Sequence, residues 1–106
     1  MSFINLLDLK IKEIVPGSKV QFVHSENMTT AYWTLQPGSA LPSHSHPHEQ
    51  VSTIIEGEFE LTINDETRIL RPGIVAVISP NAIHFGKALT HCRIIDVFHP
   101  TRDDYR

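Results

Sequence analysis

One cysteine, Cys92, is all the thiol that this chain of 106 residues contains. No internal disulfide can form, so stability has to come from packing, and a reducing cytoplasm is the expected location. Long apolar runs are missing too. Nothing approaches the roughly 20 residues that cross a bilayer as a helix, so no membrane partner is expected. Met1 to Lys10 carries Asp8 inside its apolar run and no basic residue ahead of it, unlike a secretory leader. A basic excess is also absent. Nine Lys and Arg against twelve Asp and Glu leave a formal net charge of -3 with the signs interspersed, so there is no footprint for nucleic acid. No long segment holds a helical period, and no repeat, linker or low-complexity tract interrupts the chain.

What is there is a series of short apolar runs cut by seven prolines and five glycines. Val20 to His24, Thr30 to Leu35, Val51 to Ile55, Glu58 to Ile63, Ile74 to Ser79 and Cys92 to Phe98 are rich in β-branched or aromatic residues. Turn formers bound each of them, and each reads as a strand. Glu56-Gly57 and Asn64-Asp65-Glu66 are expected to close hairpins. Leu6 to Lys12 alternates in part and is expected to add an edge strand or to pack across a partner. A 41% apolar content in so short a chain suits one core. Residues 1–106 therefore read as a single all-β domain, an antiparallel sandwich or barrel such as a jelly roll. Cys92 lies in an apolar strand pattern and reads as a core residue.

Chemistry is concentrated between Gly38 and Gly57. His44, His46 and His48, followed by Glu49 and Gln50, gather three imidazoles and an amide or carboxylate within a few residues. Side chains two apart share a strand face. His44 and His46 can therefore point into one space and grip a metal ion, for which neutral imidazole is the commonest ligand. An exposed histidine-rich loop is the plainer reading of the H-x-H alone. Flanking turn signals favour the metal, because Pro37-Gly38 ends one strand, Pro42 starts the approach and Glu56-Gly57 makes the next turn. His84, after Pro72-Gly73 and an apolar strand, is placed to be a distant ligand. Asp96 interrupts the apolar run from Cys92 to Phe98 and shares a face with Ile94 and Phe98. A carboxylate on a buried face is costly unless paired or near a cation. An outward-facing aspartate on an exposed face accounts for the spacing equally well.

Gly38, five residues, His44-x-His46, three residues, Gln50, six residues and Gly57 resemble the first motif of the cupins, G-x5-HxH-x3-E-x6-G. Glutamine stands where most members have glutamate. Pro72-Gly73 with Ser79-Pro80-Asn81-Ala82-Ile83-His84 resembles the second motif more loosely, its proline displaced by one position and its usual glycine missing. Inside that superfamily, Pro42 to Gln50, Glu56 to Glu60 and the ending Asp96 to Tyr105 resemble the pectin degradation protein (KdgF) family.

The resemblance implies a cupin-type jelly-roll β-barrel and a divalent metal held by His44, His46, Gln50 and His84. Nitrogen and amide donors without thiolate suit nickel, zinc, iron, cobalt or manganese. Glu49, the rival for Gln50, would need a one-residue slip that turns it to the other strand face. His48 has the right parity, but Pro47 breaks the strand, so it is expected nearer the rim. The activity implied is conversion of 4,5-unsaturated uronic acid monosaccharides, the products of pectin or alginate lyases, to linear keto-acids. The family's functional aspartate, phenylalanine and arginine fall on Asp96, Phe98 and Arg102. Asp96 would then move protons and Arg102 bind the substrate carboxylate, while Phe98 would stack on a sugar face or fill the core. Small cupins commonly pair through sheet edges, which implies a homodimer. The competing readings are an iron-dependent cupin dioxygenase and a non-catalytic module that binds sugars or small acids.

Overall fold

Alternating burial sorts the chain into two antiparallel sheets, described for residues 2–106 in a computed structural model. Ten strands follow in order. They are β1 (Lys12–Val15), β2 (Ser18–His24), β3 (Thr29–Leu35), β4 (Ala40–His44), β5 (Glu49–Glu56), β6 (Phe59–Ile63), β7 (Glu66–Leu70), β8 (Val75–Ile78), β9 (His84–Ala88) and β10 (Cys92–His99). The larger sheet runs β1-β2-β3-β10-β5-β8 and the smaller β4-β9-β6-β7. Strand β3 shows why the sheets stack. Thr29, Ala31, Trp33 and Leu35 are buried while the residues between them are half exposed, so one face must be covered. The cover comes from Phe59, Leu61, Leu70 and Ala88 of the smaller sheet, which join Val20, Ile54, Ile94 and Phe98 of the larger in one core. The result is an all-β jelly-roll sandwich. Hydrogen bonding does not run between the two sheets among the described residues, so the expected barrel is not closed.

The six expected strands correspond to β2, β3, β5, β6, β8 and β10. Two local expectations are corrected. Leu6–Asp8 forms a 3-10 turn instead of a strand, because the Asn5 side chain accepts the Leu7 N–H and caps it. The edge strand is supplied one step later by β1. Asn64-Asp65 does close the β6–β7 hairpin, but Glu56-Gly57 does not close one. It carries the chain from β5 in one sheet to β6 in the other. Gly57 makes that crossing at φ +89, where an added Cβ would collide with the His91 carbonyl. A second glycine is forced by packing alone, since a Cβ on Gly86 in β9 would enter the Phe59 ring.

Cys92 is fully buried, as a core residue. Its thiol donates to the Glu58 carbonyl at 3.1 Å, and burial pushes its pKa up, so it is not activated as a thiolate. Among the described residues no helix is long and apolar enough to cross a membrane.

Candidate metal centre

Three segments deliver the histidines to one end of the sandwich. His44 closes β4, an edge strand whose pairing with β9 shifts register between Leu41 and His44. Pro42 is tolerated there because an edge strand has no ladder bond to lose on its open side. His46 lies beyond β4 in the loop to β5, so strand alternation does not bring the pair together as expected. The loop folds back instead, with the rings of His44 and His46 5.6 Å apart. His84 opens β9 directly opposite His44, and their ring centroids are 4.1 Å apart. One ring nitrogen from each of the three lies within 4.8 Å of the other two.

Backbone carbonyls set the ring orientation. Nδ1 of His44 donates to Pro42 O at 2.7 Å, Nδ1 of His46 to His48 O at 3.0 Å, and Nδ1 of His84 to Ala82 O at 2.9 Å. With that proton on Nδ1, each neutral ring turns a bare Nε2 lone pair toward the others, the arrangement in which imidazoles hold a metal. Burial first, then the charge of Arg102 and the neighbouring His84, push His46 down to about 4. Burial first, and then His44 and Arg102, also lower His84. Nε2 of His84 is buried with no hydrogen-bond partner among the described residues. Such an orphan is costly, and converging neutral donors of this kind fit a divalent cation. Gln50, buried on β5, places Oε1 3.0 Å from His46 Nε2. Glu49 is exposed on the opposite face, away from the cluster. His48 is half buried beside His46, at 5.4 Å between rings, and lines the cavity without joining the three.

That cavity, about 970 Å³, opens between the sheets, at the upper end of the usual range for small-molecule sites. Asp96 points into it from the inner face of β10 and is 6% exposed, which removes the outward-facing alternative. Burial pushes its pKa up to about 6, with donors from Ser52, Gln50 and Trp33 and the charge of Arg102 pulling back. Ser52 Oγ donates to Asp96 Oδ1 at 2.5 Å. The Trp33 indole N–H leans toward that carboxylate without closing a full hydrogen bond, and Trp33 also lines the cavity.

Arg102, 5% exposed, is gripped rather than solvated. Its Nε and Nη2 donate to the two carboxylate oxygens of Asp104 at 3.0 and 2.7 Å. Its guanidinium lies 4.7 Å from the Phe98 ring and 4.2 Å from that of Tyr105, and the pairing with Asp104 raises its pKa against the cost of burial. Phe98 is buried with one neighbour in Arg102 and another in His46, whose ring meets it edge-on at 5.6 Å. All seven expected side chains thus face one space. Sequence reasoning missed Ser52, Asp104 and Tyr105. Ser52 carried a usable signal, since it shares the parity of Gln50 on β5. The tail residues carried none.

A family model described as Cupin domain matches residues 31–98. No protein with a curated description matches the sequence. Among solved structures, an RmlC-like cupin from Shewanella frigidimarina is similar at TM-score 0.93 and 26% identity, covering 100% of this chain and 96% of its own. KdgF from a Halomonas species is similar at TM-score 0.92 and 27% identity, covering 100% and 99%. Oxalate decarboxylase from Bacillus subtilis is similar at TM-score 0.83 and 20% identity, a likeness of fold. That match covers 92% of this chain and 29% of the decarboxylase.

Proposed function

The chain belongs to the cupin domain family, and from that premise we propose that it is a metal-dependent enzyme that opens 4,5-unsaturated uronic acids to linear keto-acids. The observation that carries this reading is the meeting of three different groups in one cavity. They are a cluster of neutral imidazoles, a buried carboxylate at Asp96 and a buried guanidinium at Arg102. The similarity to KdgF along the whole chain supports it.

His44, His46, His84 and Gln50 would hold the ion. When bound, it supplies Lewis-acid polarisation of a ring or hydroxyl oxygen, and a shell without ligand charge leaves that pull undiminished. The remaining work falls to the chain's own residues. Arg102 meets the substrate carboxylate with the end of its fork that Asp104 does not use. Asp96 takes the proton of the anomeric hydroxyl as the ring C–O bond breaks and an aldehyde forms. The other product of that cleavage is an enolate, which becomes a ketone when Asp96 returns that same proton to carbon. Proton count and oxidation level are unchanged, so no oxidant is needed. A pKa near 6 suits a group that must accept and return a proton near neutrality. Trp33 and His48 also line the cavity.

The test is to mix the purified protein, loaded with a divalent metal, with unsaturated galacturonate and follow its conjugated absorbance. Loss well above the spontaneous rate, abolished by chelator, is the expected result. Absorbance that decays no faster than without protein would overturn the reading, and oxygen consumption would redirect it to a dioxygenase.

A further inference from the structure

We propose that Ser52 is a positioning residue that fixes which end of the Gln50 amide faces the histidine cluster. The proposal rests on reading that cluster as a metal centre, and it deepens that reading by naming what orients its only non-histidine donor.

The argument is a count of protons. Ser52 lies on β5 two residues from Gln50, and the strand register sets it opposite Asp96 on β10. An ionised carboxylate can only accept, so the single hydroxyl proton of Ser52 goes to Asp96 Oδ1. The oxygen of Ser52 is left with lone pairs, and it accepts from Gln50 Nε2 at 3.0 Å. The amide oxygen of Gln50 must then face His46 Nε2, 3.0 Å away.

His46 already spends its one proton on the His48 carbonyl. Two lone pairs therefore confront each other at hydrogen-bond distance. Left alone, the amide would reverse and donate to His46. Reversal would require Ser52 to donate to Gln50 Oε1 as well as to Asp96, and it has one proton. Ser52, with Asp96 toward which the same amide nitrogen also leans, thus holds the amide in the orientation that a cation bound by Oε1 and the imidazoles would reward. It acts through Gln50 and touches neither the ion nor the substrate.

Cobalt(II) binding to the chelator-treated protein tests this without any sugar substrate. Thr and Val have the same shape and differ in the hydroxyl. Ser52→Thr should bind Co(II) within about threefold of the wild type, and Ser52→Val about 10–100-fold more weakly, the usual loss on removing a group that orients a metal ligand. The metal-free Val variant should unfold at a somewhat lower temperature, because Asp96 and Gln50 lose a buried partner, but still in one cooperative transition, so that Co(II) binding is compared between folded proteins. If the added methyl is not tolerated, Ser52→Ala carries the same comparison against the wild type, with the same loss of about 10–100-fold expected. Equal Co(II) affinity for the Thr and Val variants, or for Ala and wild type, overturns the role of Ser52 while leaving the metal centre intact. A wild-type protein that binds no Co(II) overturns the metal centre itself.

Discussion

Strands β5 and β10 lie side by side, and their inner faces divide into two halves of opposite chemistry. Ile54 pairs with Ile94, while nearer the histidines Ser52 pairs with Asp96 and Gln50 with Phe98, and all six line the cavity. The two halves are equally buried. Ile54 and Ile94 are 2% and 5% exposed, and Gln50, Ser52 and Asp96 are each 6%. Burial costs the apolar half nothing, because leaving water is what stabilises it. The polar half is buried against its own hydration and is tolerable only as a connected chain of hydrogen bonds. One half holds the sheets together, and the other spends stability on a site.

The largest effect should come from breaking the polar half at its acid. Asp96→Asn keeps the shape and removes the basicity, so kcat on unsaturated uronate should fall about 10²–10⁴-fold, the usual value of a general acid/base. Metal content, measured on the same sample, should stay near that of the wild type. Turnover at the wild-type rate would leave Asp96 as a structural carboxylate and remove the distinction between the halves.

The converse substitution sharpens the comparison. Ile94→Ala should lower unfolding free energy by about 2–5 kcal/mol through lost burial and a residual cavity, read by denaturant titration. Its kcat per folded molecule should stay unchanged. An apolar half that also governs turnover would contradict the division.

Asp96 also predicts a pH signature in the metal-free protein. Its folded pKa is raised to about 6, against about 3.9 in an unfolded chain. Between those values the folded state holds a proton that the unfolded state has released. The stability this contributes is complete below about pH 4 and is lost as pH rises through about 6. The amide introduced by Asp96→Asn cannot titrate. The stability of that variant relative to wild type should therefore rise from about pH 4 to about pH 7, by roughly 2–3 kcal/mol at about 1.36 kcal/mol per unit. His46, held down at about 4, acts in the opposite sense in both proteins and drops out of the difference. A flat difference across that range would mean that Asp96 is not desolvated in solution.

The two halves were not equally legible in the sequence. Strands such as β3 and β10 announce themselves because one buried face forces strict alternation. Strand β4 does not, since Pro42, Ser43 and His44 are all exposed and its inner face holds too few apolar side chains to show a period. In β9 the signal is broken by Gly86, which sits there for the sake of the Phe59 ring, a contact between strands distant in sequence. Histidine spacing marked His44, His46 and His84 because imidazole is rare and its chemistry narrow. Ser52 looks like any strand serine, and only the β5–β10 register reveals what it faces. The environment of Arg102 was equally hidden, because a tail pairing with Asp104 leaves no periodic trace.

That pairing sets the smallest of the expected effects. Arg102 reaches the polar half from beyond β10, stacked between Phe98 and Tyr105 with one side of its fork on Asp104. Lysine would keep the charge but lose the planar stacking and the fixed fork. Substrate anchoring should weaken in ground and transition states alike, so Arg102→Lys should raise KM about tenfold and leave kcat within about threefold. The measurement is steady-state loss of the unsaturated uronate signal across a range of substrate concentrations. A fall in kcat at unchanged KM would instead make Arg102 a participant in the proton transfers, moving the boundary of the catalytic half from Asp96 out to the tail. Unchanged constants would mean that the guanidinium serves Phe98 and Tyr105 as packing, and the substrate carboxylate would then have to be met by another donor in the cavity.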